Sequence, residues 1–332
     1  MLLRSVIVVA IAIDASVGLR AETLTIDTST VYDLSCGVDV TTCTRQLIVV
    51  DGDDGSTTTL TYVDAIMDFD TGQLSPDAVS LPVRDGLTWT PGIGVTGRSR
   101  LDFQGGSVFM RDVFPAVAAV DNGVITITGG RVGGNRNGIE AYDSSRVSIS
   151  GGLVSSGNDF DSVPIGALVL DDNAVGEILG GDVNGSGLSV SALGDSRLTI
   201  HGGSFRGSGL FSDDTSVMDV FGGSYSNFIC NGSCGFFVAS GDSRINVHGG
   251  DYRVDRQFEN LEFVTFDNGE IHVFGTDLML TELEGTDFEL TGTLSDGLPV
   301  DFRVRGNHYP AQRARAIVGH SSNRGATCIW KA

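Results

Sequence analysis

Adjacent small residues, Gly-Gly in seven cases and Gly-Thr in the eighth, recur along the chain with their first glycine at Gly105, Gly129, Gly151, Gly180, Gly202, Gly222, Gly249 and Gly275. The intervals are 24, 22, 29, 22, 20, 27 and 26 residues. Two residues before each glycine stand Phe103, Ile127, Ile149, Ile178, Ile200, Val220, Val247 and Val273. Three residues after it stand Val108, Val132, Val154, Val183, Phe205, Tyr225, Tyr252 and Leu278. With apolar residues at 41% of the chain, sixteen hits in sixteen arise by chance roughly once in a million trials. Four residues before the glycine, Leu101, Ile125, Val147, Leu198, Met218, Ile245 and Ile271 continue the alternation, and only Gly176 breaks it. Period-two alternation that runs into Gly-Gly describes a half-buried strand reaching a sharp bend, followed by a second strand that re-enters the core.

A third strand is legible before each new coil in pairs such as Ile139 and Ala141, Leu168 and Leu170, Leu210 and Ser212, Phe237 and Ala239, and Phe263 and Thr265. Each leads into a turn carrying Asp121, Asp143, Asp172, Asp195, Asp214, Asp242 or Asp267. Coils of this length with three short strands specify an all-β fold, a single-stranded parallel β-helix of eight readable coils. The Leu and Asn spacing of leucine-rich repeats is absent, and no 3.6-residue period fills the unit. A right-handed coil is expected by analogy, since left-handed helices have shorter, more regular turns.

Five segments follow. Residues 1–21 read as an export signal: Arg4 precedes the apolar run from Ser5 to Ile13, and Ala15, Ser16, Gly18 and Ala21 are small. Asp14 leaves the run too short to span a bilayer. Residues 22–96 are β-rich without a readable repeat and are expected to form a cap and irregular first coils. The repeats occupy 97–284. Residues 285–305 form a closing β-hairpin with strands Phe288 to Leu294 and Val300 to Val304, and 306–332 a poorly ordered basic tail. Insertions at Asn158 to Pro164 and Ser226 to Gly235 lengthen two coils; on a solenoid such loops are places for a binding face or simple loop drift.

The formal charge is −21, from 42 acidic and 21 basic residues. That field repels nucleic acid and anionic lipid. Of five cysteines, Cys36 with Cys43 and Cys230 with Cys234 are close enough in sequence for two local disulfides, which suits an exported chain.

The stretches DSSRVSISGG (143–152), DSRLTIHGG (195–203) and DSRINVHGG (242–250) resemble the repeats of secreted bacterial β-helix proteins of the pectate-lyase-like fold. GTDFELTGTLSDGLPVDFRV (285–304) resembles the closing hairpin of large secreted proteins of planctomycetes and similar bacteria. The resemblance covers residues 97–304 and implies architecture; most such proteins have no assigned activity.

Catalytic candidates on such a scaffold are grouped carboxylates, here Asp171 with Asp172 and Asp213 with Asp214. Lyase chemistry would need an arginine base such as Arg197, Arg206 or Arg244, because the only lysine is Lys331. His201, Phe221 and His248 lie directly before Gly-Gly turns, at outward positions where they are either solvated or available to a sugar. No resident cofactor is expected. The alternative is calcium relieving repulsion between turn carboxylates at Asp143, Asp172 and Asp195; otherwise each Asp caps its own turn. The outward row three before the glycine reads Asp102, Thr126, Ser148, Glu177, Thr199, Asp219, Asn246 and His272, too charged for an ice-binding plane. The functional expectation is a secreted or cell-surface rod of structural or adhesion type that contacts polysaccharide or other surface components without catalysis. A polysaccharide hydrolase, or less readily a lyase, is the alternative.

Overall fold

The computed structural model describes residues 23–32, 46–51, 56–63, 66–69, 81–82, 88–111, 114–157, 166–207, 209–226, 236–253, 263–282, 288–304, 315–320 and 326–331. Three parallel sheets wind around one apolar core. Sheet A, of fourteen strands, holds the strands before the Gly-Gly bends. Sheet B, of eight, holds those after them. Sheet C, of ten, holds those that lead into the Asp turns. Successive coils match residue for residue: Leu101 pairs with Ile125, then Val147, Gly176, Leu198, Met218, Ile245 and Ile271. The apolar positions two and four before the glycine are buried throughout. At the one exception, a Cβ on Gly176 would lie 2.6 Å from Leu170 and 2.8 Å from Leu198, so those two leucines already fill its share of the core.

The two glycines of each bend do different work. A Cβ on the first would strike a carbonyl of the preceding coil; at Gly129 it would lie 2.3 Å from the Gln104 oxygen. The second takes positive φ, 73° at Gly130 and 113° at Gly223. The eighth expected bend is absent. Thr276 stands where the second glycine belongs, and the chain continues through Gly275 as one strand, Glu270–Glu282, with a bulge between Thr276 and Met279 where Asp277 takes φ of 53°. A β-branched residue resists positive φ, so Gly-Thr does not bend. Leu278 is buried within that strand instead of opening a new one.

Beyond this point the topology turns antiparallel. Glu270–Glu282 pairs with Phe288–Leu294, which forms the expected hairpin with Pro299–Val304. Phe302 is buried, its ring centroid 4.9 Å from Phe263 and 5.2 Å from Tyr252. Within the stretch 306–332, read from the sequence as a poorly ordered tail, the described residues are strands Arg315–His320 and Ala326–Lys331, the second paired to Glu270–Gly275. An open sheet edge is a template for pairing; here the Glu270–Gly275 part of the continuous strand gives the last segment a place to add.

At the other end, Thr23–Ile26 and Gln46–Val49 join sheet C, Thr30–Tyr32 and Thr59–Tyr62 join sheet A, and Ile66–Phe69 joins sheet B. The irregular first coils are therefore rungs of the same solenoid, built without Gly-Gly. Residues 1–21 and Cys36, Cys43, Cys230 and Cys234, with the proposed disulfides, lie outside the described residues, as does the 158–164 insertion.

Candidate functional site

The outer side of sheet A presents three columns over eight rungs. The first, five before the glycine, reads Arg100, Val124, Arg146, Val175, Arg197, Val217, Arg244 and Glu270. The second runs from Asp102 to His272, the row already given. The third, directly before the bend, ends in Leu179, His201, Phe221, His248 and Phe274. Outward placement follows from the pleat, since the intervening residues are in the core.

The third column brings His201, Phe221 and His248 together and adds Phe274. Their rings stack with centroids 5.5, 4.6 and 4.2 Å apart and planes within 13° of parallel. Stacking uses up the ring faces between neighbours and turns edges to solvent, so the column is not the flat platform a sugar ring needs. Nor are the histidines simply solvated: burial in the stack lowers the His248 pKa from the usual histidine range, against the opposing pull of Asp219. His201 Nε2 lies 3.6 Å from Glu177. His272, missed in the sequence reading, pairs with Glu270 at 2.9 Å.

In the first column Arg100 bonds Asp102 at 2.6 Å and Thr126 at 3.0 Å, and Arg244 lies 3.3 Å from Glu270. Arg146 and Arg197 are exposed and make no ion pair or side-chain hydrogen bond among the described residues.

The Asp turns use their carboxylates differently from expectation. The carboxylate accepts the backbone N–H of the equivalent residue one coil earlier: Asp121 from Gly97 at 3.2 Å, Asp143 from Asp121 at 3.0 Å, Asp172 from Asp143 at 3.4 Å and Asp214 from Gly194 at 3.1 Å. The turn position requires positive φ, which Asp tolerates and Gly takes freely. Asp121, Asp143, Asp172, Asp214 and Asp267 hold it; Gly97, Gly194 and Gly241 hold it elsewhere. Asp195 and Asp242 are thus one residue past the ladder, where Asp195 accepts from Thr215 and Asp242 from Asn268.

The paired carboxylates are turn devices as well. Asp171 Oδ1 accepts the Asp172 N–H at 2.7 Å, and Asp213 Oδ1 accepts that of Asp214 at 2.8 Å. The two pairs stand two rungs apart, about 9.6 Å at the parallel-sheet spacing, so they do not converge. Among the described residues no group of three or more His, Cys, Asp or Glu could hold a metal ion. Asp143, Asp172 and Asp195 do not meet at one point.

One carboxyl that sequence reasoning missed is Glu140, on the outer side of sheet C and 1% exposed. Its oxygens accept from Asn137 Nδ2 and the Tyr142 hydroxyl, while Asn137 Oδ1 accepts the Gly166 N–H at 3.0 Å. Desolvation raises its pKa; the two hydrogen bonds and Arg136 pull it down, and Asp171 adds to the rise. The only sequence signal was an acid at an outward strand position, which ordinarily means solvent. Its neighbours in register on that face, Ala118 and Val169, are buried too, so the face around it is closed off from solvent.

Among the described residues no helix is long and apolar enough to cross a membrane. Comparison with protein-family models, curated proteins and solved structures gives no match to the chain.

Proposed function

We propose that the chain acts outside the cytoplasm, secreted or at a cell surface, as a β-helical rod of structural or adhesion type. Its outer sheet A face contacts carbohydrate without catalysing a reaction. One observation carries the reading: three outward columns remain in residue-for-residue register over eight rungs. A surface that repeats along a straight axis suits a partner that also repeats along a line. The charge of −21 disfavours nucleic acid, and the Arg4-led apolar segment supports export.

The experiment incubates the full chain with acidic and neutral polysaccharides, with and without calcium, following both retention and product release. Retention without new chain ends is expected. A second reading, a polysaccharide hydrolase, is favoured by Glu140, a buried carboxyl whose pKa desolvation raises, with Asp171 adding to the rise. Product release that disappears in Glu140→Gln would establish it and displace the rod.

A further inference from the structure

Over the four rungs from Arg146 to Asp219, the first two outward columns of sheet A share a period of two rungs that no single coil displays; the Arg100 and Val124 rungs, with Asp102 and Thr126, lie outside it. Rungs carrying a free arginine have a hydroxyl beside it: Arg146 with Ser148, and Arg197 with Thr199. The rungs after them replace the arginine by valine and the hydroxyl by an acid: Val175 with Glu177, and Val217 with Asp219. Positive and negative rungs therefore alternate, and like rungs recur about every 9.6 Å. In the third column His201, Phe221, His248 and Phe274 alternate with the same period.

From this alternation we infer that the sheet A face binds a linear polysaccharide in which an anionic sugar alternates with a neutral one, lying along the rod axis. This rests on the carbohydrate-contacting reading above and narrows it. An anionic group over Arg146 and the next over Arg197 each gain a charge-assisted hydrogen bond. The neutral sugar between them lies over Val175 and Glu177, where its hydroxyl or amide hydrogens meet a carboxylate acceptor. A polymer charged on every sugar places alternate anions over Glu177 and Asp219 and is repelled there. A neutral polymer leaves both guanidiniums without a counter-charge. The alternation thus selects on charge spacing rather than on total charge, which also reconciles an anionic ligand with an acidic chain.

The test is titration calorimetry on the full chain with three oligosaccharide probes of equal length. These are hyaluronan fragments as the alternating polymer, oligogalacturonate as the uniformly charged one and cello-oligosaccharide as the neutral one. The alternating probe is expected to bind at least tenfold tighter than either of the others. Arg146→Gln and Arg197→Gln should each weaken it about tenfold, about 1.4 kcal/mol, while Arg131→Gln, an exposed arginine on sheet B, leaves it unchanged. Circular dichroism and thermal unfolding of each variant establish that the fold is intact. Equal or tighter binding of the uniform or neutral probe, or binding indifferent to both sheet A variants, overturns the inference and leaves the carbohydrate reading standing. No binding of any probe overturns both.

Discussion

Replacing Gly130 by alanine puts the bend itself to the test. Gly130 has φ of 73°, and a Cβ there would lie 2.6 Å from Phe103 Cε1, 2.7 Å from the Gly105 carbonyl carbon and 2.7 Å from the Gly106 oxygen. Phe103 can give a little; the backbone atoms cannot, because the Arg131 N–H donates to that same Gly106 oxygen at 2.9 Å. Holding alanine in the left-handed region costs about 1–2 kcal/mol. Overpacking against fixed neighbours adds about 1–3 kcal/mol. The expected loss is about 2–5 kcal/mol, a large part of a stability of about 5–15 kcal/mol. Because each coil touches only its neighbours, the defect also uncouples the two halves of the stack. Guanidinium unfolding followed by circular dichroism should show a lower or divided transition, and hydrogen exchange should show early opening of the coils around residue 130. Thr276→Gly is the counterpart, since Thr276 is exposed at the edge of a bulge in a continuous strand, and should cost less than about 1 kcal/mol. The reasoning fails if Gly130→Ala lies within about 0.5 kcal/mol of the parent, or if Thr276→Gly is the more damaging change.

Asp143→Ala should cost about 2–4 kcal/mol, since it strands the Asp121 N–H and places alanine at φ near 56°; Asp143→Asn keeps an acceptor and the turn, and melting temperatures should rank it well above alanine. Glu140 has its pKa raised by the fold, so the stability its neutral form supports is complete below the ordinary carboxyl value of 4.5 and is lost as pH rises through the folded value. Glu140→Gln should therefore gain on the parent as pH increases from 4.5 toward neutrality, and a constant difference in melting temperature across that range would refute the assignment. Phe221→Ala opens the ring stack and rehydrates His248; NMR titration should find the His248 pKa moving up toward the usual histidine value, and an unchanged value would mean that burial by the stack is not what lowers it.

The solenoid was legible because stacking imposes the same demand on every coil. A residue two before the bend is always in the core, so Phe103 and Val273 obey one rule although they stand 170 positions apart, and the parallel pairing then carries that rule from rung to rung. What misled was treating Gly-Gly and Gly-Thr as equivalent. The spacing of Gly275 fits the series, but only the second glycine supplies positive φ, and Thr276 cannot. Where bends are made by other means, as around Leu60 and Met67, the same core exists with no punctuation to reveal it. The Asp turns show the limit of local reasoning from another side: a carboxylate near its own turn looked like a cap for that turn, yet the N–H it accepts belongs to the coil before.

The outer pattern of sheet A was less legible for a geometric reason. Loops of different length separate the rungs, so Arg146 and Arg197 are 51 positions apart in sequence, and nothing in the chain marks them as two steps along one column. Only the strand register converts the irregular intervals into a constant rise, and only then does the arginine and valine alternation become a period. Glu140 was hidden by the opposite effect, a sheet face closed off from solvent at a position where the strand alternation points outward. Outer columns on a solenoid are free of the packing rule that fixes the core, so a pattern there is set by contacts between neighbouring rungs or with the proposed partner. The alternation of Arg146, Val175, Arg197 and Val217 has no role in the core, and its two-rung spacing is what the proposed polysaccharide would have to match.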